Sequence, residues 1–160
     1  LKVDWDSFIL VSGKLEVNGE IPFERSINFR KKISIVVGNK LQLFQDVCYR
    51  LFQLIGTLYE VEPAILQERI QELSNLLNVK DQLYQQVRTL SLGQKMKMEF
   101  IAASLTSPEI LFLDEPTIGL DIQSKDTDIL EMNEECHTTI ILTSHDMDDI
   151  SSVCDELNRH

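Results

Sequence analysis

Two adjacent carboxylates, Asp114 and Glu115, close an apolar run in the last third of the chain. The run Ile110–Leu113 is typical of a buried β-strand. In open parallel sheets, ligands bind beyond the carboxyl ends of the strands. One carboxylate could hold Mg²⁺, commonly through water, while the other polarises an attacking water. On its own, the dipeptide before Pro116 could equally cap a strand and begin a turn.

A second candidate site is the segment LSLGQ at residues 90–94, which precedes a helical run from Lys95 to Leu105. Ser91 and Gln94 have the spacing of a capping box, which would do no more than start a helix. A helix N-terminus also presents unpaired N–H groups and partial positive charge, which suit phosphate oxygens. Gly93 would let a phosphate approach the backbone closely. Both interpretations stay open on these residues alone.

The third candidate is His145, which follows a second apolar run, Ile140–Leu142, and precedes a helix that Asp146 could cap. A histidine in this position could donate a hydrogen bond to a phosphate or orient a water. A lone histidine after a strand is more often structural or simply exposed.

The elements that position these sites are predicted from the apolar pattern, and the strands are expected in the first and last thirds of the chain. The first third of the chain is expected to hold strands and turns, with a hairpin-like turn at Asn18-Gly19 and a strand over Ile33–Val37. The last third alternates strand and helix. Its continuous apolar strands indicate a parallel sheet that is covered on both faces. The predicted fold class is therefore α/β, an open sheet with a helical insertion at about residues 40–100.

The middle third is predicted to be helical. One helix is expected from Val47 to Leu58, although Gly56 weakens that prediction. A second is expected from Pro63, which suits a first helical turn, to about Asn78. Its apolar residues recur at three- and four-residue steps and form one stripe: Leu66, Ile70, Leu73 and Leu77.

Composition excludes several classes of function. The 160 residues suffice for one compact domain, and no apolar run approaches the roughly 20 residues of a spanning helix. The formal net charge of −11 argues against a nucleic-acid surface and against an anionic membrane. The three cysteines, Cys48, Cys136 and Cys154, have no metal spacing and are expected to be free thiols in a reducing compartment.

Taken together, the three segments resemble the motifs of ABC (ATP-binding cassette) ATPases. LSLGQ resembles the signature motif, LFLDEPTIGLD at 111–121 the Walker B strand with its D-loop, and TSHD at 143–146 the H-loop. The sequences DEPTIGLD and SHDMDDI are most similar to the branch that serves exporters with separate permeases. The resemblance implies a P-loop NTPase (RecA-like) fold with an incomplete ABC ATPase core. Residues 1–39 and 101–160 would form the core, and 40–100 a helical subdomain with the signature motif.

The resemblance also implies roles and partners. Asp114 would contribute to Mg²⁺ binding, Glu115 would be the general base, and His145 would contact the γ-phosphate. The residues that would meet nucleotide across a dimer are Ser91, Leu92, Gly93, Gln94 and Asp121. The implied cofactors are ATP and Mg²⁺, and the implied partners are a membrane permease subunit and a second ABC ATPase subunit. The location would be cytoplasmic, peripheral to the cytoplasmic membrane through the permease.

Two positions depart from the family pattern. The phosphate loop GxxxxGK[ST], called Walker A, is absent, and the only Gly-Lys pair, Gly13-Lys14, is followed by Leu15. We therefore expect a chain truncated before residue 1, with poor ATP binding in isolation. At the Q-loop, Asn39 takes the position where most members carry Gln, which shortens the reach of the amide; Gln42 is nearby.

The main functional prediction is an ATP-binding and ATP-hydrolysing subunit that powers an ABC transporter. The alternative is a degenerate, non-hydrolysing ABC-like module that only binds partners. A ribosome-acting ABC protein would need tandem cassettes, and one set of motifs is present. The retained signature, Walker B and H-loop residues favour the enzyme, because a module without ATP to hydrolyse has no chemical need for them.

Overall fold

The computed structural model describes residues 16–24, 26–37, 46–114 and 138–143. Within them lies a three-stranded sheet in the order β1 (Ile33–Val37), β2 (Ile110–Asp114) and β3 (Thr139–Thr143). Both neighbouring pairs are parallel. The predicted strands and their parallel arrangement are therefore confirmed.

The helices of the described residues are α1 (Ile27–Lys32), α2 (Cys48–Leu58), α3 (Pro63–Leu76) and α4 (Leu92–Ser104). Short 3₁₀ turns lie at Pro22–Glu24, Lys80–Gln82 and Val87–Thr89. The two helices predicted for the middle third are confirmed, and the helix after LSLGQ begins earlier than Lys95. The predicted boundary at residue 100 falls inside α4, which packs against β1. The division into core and helical subdomain stays a prediction.

Helix α1 was not expected, because the first third was predicted to hold only strands and turns. Its start is fixed by Ser26, whose Oγ accepts a hydrogen bond from the backbone N–H of Phe29 at 2.9 Å. Its last turn holds Arg30, Lys31 and Lys32, whose charges suit the negative end of the helix dipole. Six residues are too few to establish a helical period, so the sequence pattern did not separate α1 from the strand that follows.

The predicted turn at Asn18-Gly19 is confirmed. Asn18 and Gly19 have φ angles of 50° and 77°, the positive values that a tight hairpin turn needs at both central positions. Val17 and Glu20 close the turn with two backbone hydrogen bonds of 2.9 and 3.0 Å.

The core lies between the sheet and α2, α3 and α4. The predicted stripe of α3 and its C-cap is buried, which confirms the helical period. The largest side chains that are fully buried come from all three helices, the loops between them and β2: Phe52, Ile70, Met98, Ile101, Leu105, Leu111, Leu113 and Val87.

Two long basic side chains join α3 to α4. Arg69 Nη1 donates to the carbonyl of Leu105, the C-cap of α4, at 2.8 Å. In the other direction, Lys97 Nζ donates to the carbonyl of Leu77, the C-cap of α3, at 3.0 Å. Each bond satisfies a carbonyl that the end of a helix leaves without an intrahelical partner. Helix α4, and with it the LSLGQ segment, is therefore held in a fixed position against α3.

Gly56 is a packing position in α2. It is buried, and a Cβ at this position would lie 2.2 Å from Cδ2 of Leu66 in α3. The glycine that weakened the helix prediction is therefore the residue that lets α2 and α3 approach each other.

We expect Gly56→Ala to destabilise the protein by about 1 kcal/mol. Alanine favours the helix by up to about 1 kcal/mol over glycine, but overpacking a core costs about 1–3 kcal/mol. In a Leu66→Ala background, where the colliding atoms are gone, the same change should become stabilising. Chemical denaturation of the four proteins in this double-mutant cycle measures the effect. An equal effect of Gly56→Ala in both backgrounds would show that contact with Leu66 is not the reason for a glycine at position 56.

Candidate functional site

The carboxyl ends of the three strands meet at one edge of the sheet. Asp114, the last residue of β2, lies in register with Val37 at the end of β1 and with Thr143 at the end of β3. Neighbouring strands in a sheet lie about 4.8 Å apart. This edge is where open parallel sheets bind their ligands.

Three of the predicted site residues follow these strand ends in the sequence. Glu115 follows Asp114 directly, while Asn39 and His145 stand two residues beyond the ends of β1 and β3. All three lie outside the described residues, as does Asp121, so their roles stay predictions.

Among the residues that the structure describes, Thr143 is the close polar partner of Asp114 at this edge. The hydroxyl of Thr143 donates a hydrogen bond to Asp114 Oδ1 at 2.7 Å, and the carbonyl of Leu113 lies farther from the same hydroxyl, at 3.4 Å. A hydroxyl carries one proton, so the shorter contact is the main bond. Thr143 was not among the candidate site residues, although it is the first residue of TSHD. The register of β2 and β3 is what brings it to Asp114, and that register is not visible in the sequence.

The oxygen atoms at this edge suit Mg²⁺. Within the described ranges, no cluster of three or more His, Cys, Asp and Glu side chains could hold a metal ion by itself. Asp114 provides a half-buried carboxylate at the end of a strand. Mg²⁺ commonly binds through one or two carboxylates, keeps several waters and completes its shell with phosphate oxygens. A single carboxylate beside a hydroxyl therefore fits a metal ion that arrives with a nucleotide.

The start of α4 forms the capping box predicted from Ser91 and Gln94. Ser91 Oγ accepts a bond from the backbone N–H of Gln94 at 3.2 Å, and the backbone N–H of Ser91 donates to Gln94 Oε1 at 2.9 Å. Ser91 and Leu92 are exposed, and Gly93 is half-buried. Because Ser91 Oγ is the acceptor in this box, its O–H proton can still be donated to a ligand.

The same helix end has the backbone geometry of an anion site. Leu92 and Gly93 are the first two residues of α4, so their backbone N–H groups have no acceptor within the helix. These groups carry the positive end of the helix dipole. The capping box and an anion site are therefore compatible, because they use different donors of the same helix end.

The segment before α4 is anchored to the start of α2. Leu90 is 4% exposed, and the backbone N–H of Val87 donates to the carbonyl of Asp46 at 3.2 Å. The backbone N–H of Tyr49 donates to the carbonyl of Leu83 at 2.9 Å. These bonds bring the LSLGQ segment and the beginning of α2 together, although more than 40 residues separate them in the chain.

Cys48 does not contribute a reactive group. Burial raises the pKa of its thiol to about 11, so it stays protonated at neutral pH. It is a free thiol, as predicted, and the other two cysteines lie outside the described residues.

None of the helices within the described ranges has both the length and the apolar character that a membrane span requires.

Comparison with known proteins supports one family. The family model described as "ABC transporter" matches residues 8–118. The ABC transporter ATP-binding protein NatA of Bacillus subtilis is 26% identical over 148 residues, which are 91% of this chain and 60% of that protein. The molybdate/tungstate import ATP-binding protein WtpC of Methanocaldococcus jannaschii is 27% identical over 141 residues, 85% of this chain and 46% of that protein.

Solved structures agree on the fold. The structure of cbiO1 from Clostridium perfringens, part of the ABC transporter complex cbiONQ, matches with a TM-score of 0.75 and 23% identity over 91% of this chain and 61% of that one. This likeness confirms the predicted ABC ATPase fold with its parallel sheet.

The relatives are longer than this chain, and one of them is named as an import protein. The chain spans between 46% and 60% of the length of the first curated relatives that it matches. They include an import protein, so the exporter-type branch stays a prediction. With the family model matched over residues 8–118, the chain belongs to the ABC transporter family, and its relatives there are ATP-binding proteins.

Proposed function

We propose that this chain provides the ATP-binding and ATP-hydrolysing part of an ABC transporter. The observation that carries the proposal is the common edge where β1, β2 and β3 end. Asp114, the Walker B aspartate, lies there in register with Val37 and Thr143. The Q-loop position, the proposed general base and the H-loop position follow these three residues in the chain. A phosphate bound beyond this edge would meet groups from three strands at once.

The residues divide the chemistry between them. Asp114 takes part in holding Mg²⁺, which would neutralise charge on the phosphate oxygens when bound. Glu115 accepts the proton of the attacking water, and His145 donates a hydrogen bond to the γ-phosphate. Asn39 supplies an amide at the Q-loop position. Adjacent carboxylates suit these two tasks, because one must stay ionised beside a cation while the other must take up a proton.

The second half of the site comes from a second ABC ATPase subunit. The N-terminus of α4, with Ser91, Leu92, Gly93 and Gln94, would bind the γ-phosphate of ATP held by that subunit, and Asp121 would communicate across the dimer. The exposure of Ser91 and Leu92 and the outward N–H groups of the helix support this assignment. Dimerisation would then depend on ATP, because the nucleotide is the main link between the two surfaces.

The other partner would be a membrane permease subunit. The related cbiO1 is part of the ABC transporter complex cbiONQ, and the related EcfA3 of Oenococcus oeni is an energy-coupling factor transporter protein. In this chain, α2 exposes apolar side chains, with Leu54 51% and Leu58 67% exposed. Both line a cleft of about 260 Å³ between β1, α2 and α4. We place the permease contact on this surface, which would keep the protein at the cytoplasmic face of the membrane.

Substitutions of Ser91 distinguish the proposed phosphate contact from simple helix capping. Ser91→Ala should lower stability by about 1 kcal/mol, because the cap is lost. Ser91→Asp should keep the stability, since Asp caps as well as Ser and its charge suits the helix end. Its negative charge would nevertheless repel the γ-phosphate. We expect Ser91→Asp to abolish ATP-dependent dimerisation in a version of this chain that carries a phosphate loop, without loss of stability.

Denaturant unfolding and light scattering with Mg-ATP measure the two properties side by side. A Ser91→Asp protein that dimerises with ATP like the wild type would show that Ser91 only caps α4. If the molar mass of the wild type does not change with Mg-ATP, the result would instead favour the non-hydrolysing, partner-binding alternative.

A further inference from the structure

The hydrogen bond between Thr143 and Asp114 joins two strands at the proposed metal site. Thr143 Oγ1 donates to Asp114 Oδ1 at 2.7 Å, which is in the range of bonds from a hydroxyl to a carboxylate. The two residues are 29 positions apart in the sequence and face each other in the parallel register of β2 and β3. The contact is therefore a product of the fold rather than of local chain geometry.

Packing does not account for Thr143 at this position. Thr143 is exposed, whereas the leucine before it is half-buried and packs against the core. An exposed side chain gains little from burial, and an exposed hydroxyl can bond water instead. A β-branched residue, however, has a restricted χ1, so the backbone of β3 sets the position of its hydroxyl.

The backbone hydrogen bonds between β2 and its neighbouring strands fix the backbone of Asp114, but they do not fix the rotation of its carboxylate. A carboxylate at a strand end can turn about χ1 and χ2, and only some of these orientations serve a metal ion. A donor on the neighbouring strand selects one orientation by engaging Oδ1. With respect to the described part of the chain, this leaves Oδ2 and the second lone pair of Oδ1 for a cation or its waters.

We propose that Thr143 is a positioning residue for the metal-binding carboxylate. It presets the orientation of Asp114 through its hydroxyl, so that the carboxylate does not have to be ordered when metal and nucleotide arrive. This inference rests on the proposed function of Asp114. It extends the site to a residue that the motif analysis did not select.

Mn²⁺ is the probe for the test, because the electron paramagnetic resonance of free Mn²⁺ reports how much of the ion is bound. A matched sample of Mn²⁺ and ATP without protein gives the share that ATP binds by itself. Thr143→Val keeps the shape of the side chain and removes the hydroxyl. We expect it to weaken Mn²⁺ binding about tenfold, the lower end of the 10–100-fold loss that follows removal of an outer-shell partner. Thr143→Ser keeps the hydroxyl and should bind Mn²⁺ within about threefold of the wild type. Thermal unfolding without metal or nucleotide should be alike for all three proteins.

Asp114→Asn separates the metal-binding role of Asp114 from the positioning role of Thr143. If Asp114→Asn leaves Mn²⁺ affinity unchanged, the metal role of Asp114 fails and the inference fails with it. If Asp114→Asn weakens binding and Thr143→Val does not, only the positioning role is overturned. Should Thr143→Val reduce the amount of folded protein, Thr143→Ala replaces it in the same comparison with Thr143→Ser. Equal losses in the serine and valine variants would also contradict a role for the hydroxyl.

Discussion

In a version of this chain that carries a phosphate loop, replacing Glu115 by glutamine is expected to reduce ATP hydrolysis by about 10²–10⁴-fold and to leave ATP binding intact. Glutamine has the size of glutamate and still forms hydrogen bonds, but it does not accept a proton from water at neutral pH. The loss therefore isolates general-base catalysis from binding. Steady-state ATPase rates and the ATP dissociation constant measure the two parts separately.

The control for this experiment is Glu109→Gln. Glu109 is an exposed glutamate that precedes β2 at the opposite end of the strand from Asp114, where its carboxylate accepts a hydrogen bond from Asn18 and lies 3.5 Å from Lys32. Its loss removes the same charge at the end of β2 that is remote from the proposed site, and we expect ATP turnover to change little. Near-normal turnover in Glu115→Gln, or an equal loss in both variants, would rule out Glu115 as the base.

Asp114→Asn is expected to weaken Mg²⁺-dependent nucleotide binding by about 10²-fold. The change removes one unit of negative charge beside the cation. Two unit charges about 4 Å apart interact by about 4 kcal/mol at an effective dielectric constant of 20, and the double charge of Mg²⁺ increases that attraction. Part of that attraction survives, because the amide oxygen of asparagine can still face the cation. The amide oxygen can also accept the bond from Thr143, so the fold should be preserved.

The response to Mg²⁺ distinguishes this variant from Glu115→Gln. Raising the Mg²⁺ concentration should restore much of the binding in Asp114→Asn, whereas it should not restore turnover in Glu115→Gln. Titration of nucleotide binding at several Mg²⁺ concentrations measures the difference. Unchanged binding of Mg-ATP by Asp114→Asn at low Mg²⁺ would contradict the assignment of this carboxylate to the metal.

Elements with a repeated pattern could be predicted from the sequence. The stripe of α3 repeats over four positions, and β2 is a run of apolar residues that ends at a charged one, so both were identified with nearly correct bounds. The capping box at Ser91 depends only on residues three apart, and it was found as expected. These features are local, and the physical chemistry that forms them is visible within a few residues.

Contacts between distant segments could not be predicted in the same way. The bond between Thr143 and Asp114 depends on the register of two strands, which the apolar pattern of each strand leaves open. Gly56 looked like a weakness of α2, because its packing partner Leu66 lies on another helix. Helix α1 depends on one cap and three basic residues, a signal too short to override the strand-like pattern around it.

In the proposed assembly, two such subunits enclose ATP between the edge of the sheet in one and the start of α4 in the other. We expect the answer from the molar mass of the same Glu115→Gln protein with a phosphate loop, measured by light scattering with Mg-ATP, with Mg-ADP and without nucleotide. Because this variant should bind ATP without hydrolysing it, the account predicts a dimer with Mg-ATP and a monomer in the other two conditions. Adding Ser91→Asp should return the Mg-ATP sample to a monomer. A protein that binds ATP and yet remains a monomer in every condition would contradict the account.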